Sequence, residues 1–311
     1  MTPVIQPVTG DTKMQARVVD CSTLKRECPD DPGTACLMVH PGWPCRPMLE
    51  FGRKMSTEPY LSIIIPAYNE EQRIGPTLKR ILAYLAQQPW THEILVVLDG
   101  SKDRTADTVR ASAGHYPNLR VLDNGVNRGK GFCVSRGMLE ARGTLRLFSD
   151  ADLSTPIECV ELLIATIQKG YDIAIGSRGL STSDIRVPQP WWRQMMGRIF
   201  NRFVQRIALP GIKDTQCGFK LFTERAACAI FPRQRIERFG FDVEVLWIAR
   251  TLGLRVAEIP VTWVNHPLSK VRPITDASRM FADLIRVRLF DWRGYYGAPL
   301  QQTNELPPHP K

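Results

Sequence analysis

Two aspartates separated by one residue are the clearest chemical feature of the sequence. Asp150 and Asp152 follow a short apolar run at 144–148 that predicts a buried strand. Carboxylates at this spacing can reach a common point, and such hard oxygen donors suit Mg²⁺ or Mn²⁺, which would bridge protein and phosphate oxygens. The alternative is an acidic turn, because aspartate is a common turn former. The position at the end of a strand favours the metal.

Three further polar residues lie where a predicted strand ends or a helix begins. Asp99 could accept hydrogen bonds from a nucleobase or ribose, or it could cap the helix that begins near residue 103. Glu70 follows the first strand, and the alternative there is a helix-start carboxylate favoured by the helix dipole. Lys130 lies between two glycines at a helix start, where amides and a cation could lie near a phosphate. The surrounding glycines do not have P-loop spacing.

The elements that position these residues alternate between strands and helices. Four successive βα units between residues 60 and 176 predict an α/β fold, an open and mostly parallel Rossmann-like sheet with helices on both faces. Ligands of such sheets bind at the carboxyl ends of the strands. We therefore expect the chemistry in the loops at 66–70, 99–103, 150–154 and 176–178. Beyond them we predict strands at 218–222 and 256–264 and helices at 241–251 and 277–289.

Length and composition indicate one large folded domain. The 311 residues are 43% hydrophobic and 23% charged, which is typical of globular proteins. Residues 1–55 show no periodicity and are rich in Pro, Gly, Cys and Thr, so we predict a disordered extension there. Its four cysteines lack the spacing of a zinc site. We place the catalytic domain at 56–293 and a fraying tail at 294–311.

Hydropathy and charge indicate where the protein is located and which partners it binds. No apolar run approaches the ~20 residues needed to cross a bilayer and no signal sequence is recognisable, so we predict a cytoplasmic protein. The formal charge of +10 favours anionic partners such as nucleic acid, phosphate-bearing substrates or an acidic membrane face. Nucleic acid is disfavoured because aromatic RNA-binding motifs are absent and the basic residues cluster in one segment.

That segment, residues 191–207, predicts a basic amphipathic helix. Arg198, Arg202 and Arg206 recur every four residues beside an apolar face rich in tryptophan and methionine. The pattern is typical of a helix in a membrane interface, which would hold the protein peripherally on the cytoplasmic face. The alternative is a helix that packs on the core and leaves its arginines in solvent. A second amphipathic stretch, 279–290, is predicted beside it.

The order of these motifs resembles that of family 2 glycosyltransferases with the GT-A fold. The five motifs are Pro-Ala-Tyr-Asn-Glu at 66–70, Leu-Asp-Gly-Ser at 98–101, Asn-Arg-Gly-Lys-Gly at 127–131, Asp-Ala-Asp at 150–152 and Gly-Ser-Arg at 176–178. The segment Asp-Thr-Gln-Cys-Gly-Phe-Lys-Leu-Phe at 214–222 and Ser-Lys-Val at 269–271 resemble dolichyl-phosphate β-glucosyltransferases more narrowly. The family commonly has an acid where this chain has Leu98.

The resemblance implies roles for individual residues. It places a metal on Asp150 and Asp152, and Arg178 and Arg193 near the sugar or the acceptor phosphate. Asp242 and Glu244 are candidates for a general base if the acceptor is a hydroxyl, and helix-start carboxylates otherwise. The residues expected to bind the sugar nucleotide are Pro66, Tyr68, Glu70, Asp99, Lys130, Asp150 and Ala151.

The function that the resemblance implies is an inverting, metal-dependent transfer of glucose from UDP-glucose to a polyprenyl or dolichyl phosphate. A first alternative is a family 2 transferase that uses another sugar nucleotide, such as GDP-mannose, or a saccharide or small-molecule hydroxyl as acceptor. A second alternative, from another class, is a nucleotide-binding module without catalysis.

Overall fold

The computed structural model describes residues 58–187, 190–265 and 273–297. The predicted extension at 1–55, most of the predicted tail and the Ser-Lys-Val motif at 269–271 lie outside these residues. The strands are Leu61–Ala67 (β1), His92–Leu98 (β2), Leu119–Asp123 (β3), Leu145–Ser149 (β4), Ile173–Ser177 (β5), Asp184–Val187 (β6), Phe219–Thr223 (β7), Val256–Pro260 (β8) and Thr262–Val264 (β9). The helices are Ile74–Leu85 (α1), Thr105–Ala113 (α2), Lys130–Glu140 (α3), Val160–Gln168 (α4), Trp191–Ile207 (α5), Glu224–Ile230 (α6), Phe241–Thr251 (α7) and Pro273–Trp292 (α8).

Seven of these strands form the central sheet, in the order β3-β2-β1-β4-β7-β5-β8. All neighbours are parallel except β7, which lies antiparallel between β4 and β5. The sheet is therefore mostly parallel, as predicted. Strands β1 and β2 are almost entirely buried, because helices cover both faces of the sheet. Apolar side chains therefore point to both faces along each strand.

The two faces of the sheet carry two separate cores. Alternate residues of β1 divide between them, with Ile63 and Ile65 in one core and Ile64 in the other. Helices α1, α2 and α4 cover the first face. Helices α3, α5, α6, α7 and α8 contribute to the second core. This two-sided cover is the layered α/β arrangement expected of successive βα units.

Several boundaries differ from the sequence prediction. The segment predicted as one strand at 256–264 is two strands, since β8 joins the main sheet while β9 pairs with β6. Neither β6 nor α6 was predicted, because both are short and lie beyond the residues in which strands and helices alternate regularly. The packed part of the chain continues past the predicted boundary at 293, since Tyr296 is fully buried and its hydroxyl donates to Glu244 at 2.8 Å.

The basic amphipathic helix forms where it was predicted, as α5. Phe200 and Val204 are buried on one side of this helix. Phe200 and Phe203 pack edge-to-face against Phe281 of α8. Its other side exposes a row of large apolar residues, of which Trp191 is 73% exposed. Among the described helices, none is long and apolar enough to span a bilayer.

Candidate active site

The loops after β1 and β2 are tied together at the carboxyl edge of the sheet. Asn69 has a φ of 53°, in the left-handed region that asparagine tolerates. Its N–H donates to the Ser101 hydroxyl at 3.0 Å, and its side-chain oxygen accepts from the N–H of Lys102 at 2.9 Å. The N–H of Glu70 donates to the Thr105 hydroxyl at 2.7 Å. The two loops thus form one polar edge where the sequence predicts the chemistry.

Asp150 and Asp152 lie at the same edge, directly after β4. The N–H of Asp150 donates to the carbonyl of Gly218 at 3.0 Å, and Asp152 accepts from the N–H of Ser154 at 3.0 Å. Gly218 also makes room for the Asp150 carboxylate, because a Cβ at that position would overlap its oxygens. The segment that precedes β7 therefore fixes where the first aspartate points.

Each aspartate faces a cation. The Lys130 ammonium lies 2.7 Å from an oxygen of Asp150, and the Arg73 guanidinium lies 3.6 Å from an oxygen of Asp152. Glu70 holds Arg73 in place by accepting two hydrogen bonds from it, both at 2.6 Å. In this structure Glu70 therefore acts on the site by positioning Arg73, and a direct contact with nucleotide stays a prediction.

One hydrogen-bond donor of Arg73 is unsatisfied within the described residues. Its Nη1 atom is buried and has no hydrogen-bond partner within the described ranges, since Asp152 is too far away to accept. A buried guanidinium donor without an acceptor is unfavourable unless a ligand completes it. An anionic oxygen next to Asp152 would do so, and a diphosphate carries such oxygens.

The electrostatics at this edge favour an added cation. Burial raises the pKa of Asp150, and the nearby carboxylates of Asp152 and Asp242 raise it further against the opposing effect of Lys130. Burial alone would lower the pKa of Lys130, but the carboxylates of Asp150 and Asp242 raise it. Burial and the neighbouring carboxylates thus oppose the charge of Asp150 despite its ion pair with Lys130, and a bound cation would stabilise that charge.

The donor set fits Mg²⁺ or Mn²⁺ bound together with phosphate. No group of three or more His, Cys, Asp and Glu side chains in the described ranges is arranged to hold a metal by itself. Asp150 and Asp152 supply two carboxylates at one edge. Magnesium is commonly held by one or two carboxylates together with substrate phosphates and water, so two aspartates are sufficient on the protein side.

The Asp99 carboxylate accepts hydrogen bonds that the sequence did not predict. It accepts from the N–H groups of Arg128 and Gly129, at 2.8 and 2.9 Å, and from the side chain of Asn124 at 3.1 Å. It therefore fixes the loop that leads into α3 and Lys130. Gly100, with a φ of +65°, lets the same loop approach. Recognition of a base or ribose by Asp99 stays a prediction.

Arg178 is paired with an acid from the narrower motif. Its Nε and Nη2 atoms donate to the two carboxylate oxygens of Asp214 at 2.7 and 2.9 Å, and its backbone N–H donates at 2.9 Å. Burial opposes the charge of both groups, but their attraction dominates, so the pKa of Asp214 is lowered and that of Arg178 is raised. Two donors of the guanidinium fork are thus already used.

Asp242 lies below this edge in a buried ion pair. Lys220, which is 1% exposed, donates to Asp242 and to the carbonyl of Cys217, the latter at 2.6 Å. Lys220 lies in the middle of β7 and points towards the core that contains Phe222 and α7. Because Asp242 is buried and paired, a base role would require this ion pair to open.

Glu244, the other candidate base, holds a loop in place. It is fully buried and accepts from the N–H groups of Arg235 and Ile236 at 3.0 and 2.7 Å and from the hydroxyl of Tyr296. Burial raises the pKa of Glu244 to about 7. Through these contacts Glu244 supports residues 235–240, and a role as general base stays a prediction.

The structure brings most of the predicted site residues to one place and adds new ones. Pro66 and Tyr68 are half-buried at the end of β1, and the carbonyl of Ala151 accepts from the Thr77 hydroxyl at 2.7 Å. The side chain of Arg193 lies outside the described part of the chain. Sequence reasoning missed Arg73 as the cation beside Asp152 and Lys220 as the buried partner of Asp242. The position of Arg73 three residues after Glu70, on one helical face, is a signal that could have found it.

The fold and the polar edge together define a GT-A glycosyltransferase. Residues 62–231 match the family described as "Glycosyl transferase family 2". The chain belongs to this family and is a glycosyltransferase.

Relatives and solved structures agree with this class. The chain is 40% identical over 241 residues to "Dolichyl-phosphate beta-glucosyltransferase" of Dictyostelium discoideum, with 74% of each chain covered. It is 35% identical to the protein of that name from Homo sapiens, with 79% of each covered. Glucosyl-3-phosphoglycerate synthase from Mycobacterium tuberculosis, crystallised with Mn²⁺, UDP-glucose and phosphoglyceric acid, has a TM-score of 0.58 at 19% identity over 78% of this chain and 81% of that one. Mannosyl-3-phosphoglycerate synthase from Rubrobacter xylanophilus has a TM-score of 0.58 at 20% identity, over 79% and 77%.

Proposed function

We propose that the protein transfers glucose from UDP-glucose to the phosphate of a dolichyl or other polyprenyl phosphate, with inversion at the anomeric carbon. The observation that carries the proposal is the junction of Asp150 and Asp152 with Lys130 and Arg73 at the carboxyl edge. The relatives named dolichyl-phosphate β-glucosyltransferase, 34–40% identical over most of the chain, support the choice of sugar and acceptor.

The donor diphosphate would lie between the aspartates and the two cations. Asp150 and Asp152 would hold Mg²⁺ or Mn²⁺, which as a Lewis acid would neutralise charge on the departing diphosphate. The unsatisfied Nη1 of Arg73 would donate to a diphosphate oxygen, and the Lys130 ammonium would add a second positive charge. Pro66 and Tyr68, at the end of β1, would contact the nucleoside.

Unsatisfied polar atoms near Gly218 support the binding of a sugar. The hydroxyls of Ser177 and Thr215 and the side-chain nitrogen of Gln216 are buried and have no hydrogen-bond partner within the described ranges. Ser177 is the last residue of β5, and Thr215 and Gln216 lie shortly before β7, in the segment whose Gly218 lies against Asp150. A hexose offers several hydroxyls that could satisfy them, and leaving them unsatisfied is unfavourable.

A phosphate acceptor suits the state of the candidate bases. A phosphate monoester is already anionic at neutral pH and needs no base, whereas a hydroxyl acceptor does. Asp242 is occupied by Lys220, and Glu244 is occupied by backbone amides and Tyr296. Free cations are more useful to such an acceptor than a free carboxylate.

A membrane surface is the proposed location of the acceptor. The exposed apolar face of α5 consists of Trp191, Trp192, Met195, Ile199, Phe203 and Ile207, and that of α8 consists of Ile285, Leu289 and Trp292. The two meet where Phe203 packs on Phe281. Exposed apolar rows with arginines alongside are typical of helices that lie in a membrane interface.

The test is a donor screen with a short polyprenyl phosphate as acceptor. UDP-glucose, UDP-galactose, UDP-N-acetylglucosamine and GDP-mannose are each supplied with farnesyl phosphate and Mn²⁺, and the product is identified by mass and by the NMR coupling of its anomeric proton. We expect a β-linked glucosyl phosphate from UDP-glucose alone. Preferential transfer of mannose, galactose or N-acetylglucosamine, or no transfer to farnesyl phosphate from any of the four donors, would overturn the proposal.

A further inference from the structure

A groove rich in arginine lies between the loop at residues 235–240 and helix α8. Its volume is about 490 Å³. One wall is formed by the loop and the other by the helix. The cationic lining residues are Arg235, Arg238, Arg279 and Arg286, and the large apolar lining residues are Phe239, Met280 and Phe290.

The loop that forms one wall also supports the catalytic edge. The N–H of Phe132 in α3 donates to the carbonyl of Glu237 at 3.0 Å, and the carbonyl of Ile236 lies against Gly131 so closely that a Cβ there would collide with it. Lys130, the partner of Asp150, lies at the same helix start. Asp242 follows the loop by two residues. The loop that lines the groove is therefore in contact with the start of the helix that carries Lys130.

The charges that face the groove leave it positive. Glu237 is paired with Arg128, and Asp283 accepts from Arg286 at 3.1 Å. Arg235 stacks over the ring of Tyr295.

Arg238 and Arg279 are both exposed, and neither forms an ion pair with a residue in the described ranges. Two guanidinium groups are thus available at a groove that also offers apolar side chains.

We infer that this groove binds the acceptor lipid, with Arg238 and Arg279 on its phosphate and Phe239, Met280 and Phe290 along its first isoprenyl units. The inference rests on the proposed function, in which the acceptor is a lipid phosphate. Arginine forks bind phosphate bidentately, so exposed arginines suit a phosphate monoester. Free phosphate would use the arginines but not the apolar wall.

The position of the groove supports a lipid as its occupant. Helix α8 lines the groove with Met280 and Phe290, and its adjacent face exposes Ile285, Leu289 and Trp292. A chain whose headgroup lies in the groove would leave it along the same helix that is proposed to lie in the membrane interface. Arg178, the residue expected at the acceptor phosphate from sequence, already donates twice to Asp214.

The experiment measures binding directly, with farnesyl phosphate, farnesol and inorganic phosphate as separate ligands in calorimetric titrations of the full chain. The variant Arg238→Glu/Arg279→Glu is compared with wild type and with Lys79→Glu/Lys169→Glu. The control changes the charge equally, at two exposed positions on the opposite face of the sheet, Lys79 in α1 and Lys169 directly after α4. The variant Arg238→Gln/Arg279→Gln guards against misfolding caused by charge reversal, and circular dichroism verifies the fold of each protein.

We expect the dissociation constant for farnesyl phosphate to rise at least about tenfold in the Glu variant, less in the Gln variant and less than about twofold in the control. Farnesol and inorganic phosphate should each bind more weakly to wild type than farnesyl phosphate does. Equal affinity of wild type and both arginine variants for farnesyl phosphate would overturn the inference, as would equal binding of inorganic phosphate. Because no transfer is measured, this outcome is separate from that of the donor screen.

Discussion

The catalytic edge of the sheet and the outer face of α5 and α8 are built in opposite ways. At the edge, short loops are held by polar contacts, such as the three hydrogen bonds that the Asp99 carboxylate accepts and the bidentate pair of Arg178 and Asp214. On the helices, large apolar side chains such as Trp191 and Trp292 lie in solvent. The first arrangement fixes charges in space, and the second offers area to an apolar environment.

This difference predicts how each region responds to substitution. A preorganised polar site is sensitive to small displacements, because groups that act on a reacting bond must be placed to within an ångström. An apolar surface binds through many weak contributions that add up, so no single residue dominates. Substitutions at the edge should therefore change rates steeply, and those on the helices should change partitioning gradually.

The largest effect is expected from Asp152→Asn. Removing one of two carboxylates that would hold the metal should lower kcat by at least about 100-fold, because the diphosphate loses its neutralising partner. The fold should persist, since Asp152 is partly exposed and its neutral replacement keeps the bond to Ser154. Steady-state kinetics tests this. Asp107→Asn, on the exposed side of α2, is the control, and a variant within a few-fold of wild type would exclude the role.

The next effect concerns the buried pair below the edge. Lys220→Met leaves Asp242 as an uncompensated buried charge and should lower the free energy of unfolding by about 3–5 kcal/mol. Replacing both partners in Lys220→Met/Asp242→Leu should recover most of this loss, because no charge remains buried. Urea denaturation measures both. A double variant as unstable as the single one would show that the pair does more than neutralise itself.

Glu244 links the two regions through the loop that it supports, and it should make stability depend on pH. Its folded pKa of about 7 lies above its ordinary value of 4.5. Between these values the folded protein keeps a proton that the unfolded chain has released, so stability falls as the pH rises through this window, by about 3 kcal/mol in total.

The substitution Glu244→Gln should remove this slope. Thermal unfolding between pH 5 and 8 tests it, and Glu161→Gln, at an exposed position of α4, should keep the slope of wild type. A wild-type stability that rises across this window would contradict the assignment.

Two glycine substitutions contrast the edge with the helices directly. Gly218→Ala places a methyl group on the Asp150 carboxylate and should lower kcat about 100-fold through displacement of that side chain. Gly197→Ala, in the middle of α5 with no atom within 4 Å of the new methyl group, should raise stability by about 1 kcal/mol and leave kcat unchanged. Steady-state kinetics and thermal melts of both variants test these expectations. Equal kcat values for the two variants would mean that Gly218 does not position Asp150.

The smallest effect is expected from a single charge on the helical face. Arg202→Gln should weaken partitioning onto vesicles with anionic lipid by about 1 kcal/mol, roughly fivefold, while Lys79→Gln on the opposite face should not. Sedimentation with vesicles measures this. Unchanged partitioning of Arg202→Gln would remove α5 from the proposed membrane contact.

The regular part of the fold could be predicted from sequence because its physical signal is local. The apolar run of β1 and the 3.6-residue spacing of α1 each report burial on their own. The antiparallel insertion of β7 between β4 and β5 could not be predicted in this way, since the pairing of Phe148 with Lys220 joins residues far apart in sequence.

The site was predictable in its acids and less so in their partners. Asp150 and Asp152 share a strand end, so their proximity follows from their spacing. The pairing of Arg178 with Asp214 depends on long-range packing. Lys220 was missed because a lysine in a strand is expected to face solvent. Its burial is stabilised by Asp242 and by the carbonyl of Cys217, which the sequence does not show to be neighbours.

The most direct test is the binding of Mn²⁺ in the presence of UDP, followed by electron paramagnetic resonance of the free ion. Wild type should remove about one equivalent of Mn²⁺ per chain from solution when UDP is added, and Asp152→Asn should leave most of it free at the same concentrations. Equal depletion by both proteins would show that the ion, if it is held at all, is held without the second aspartate.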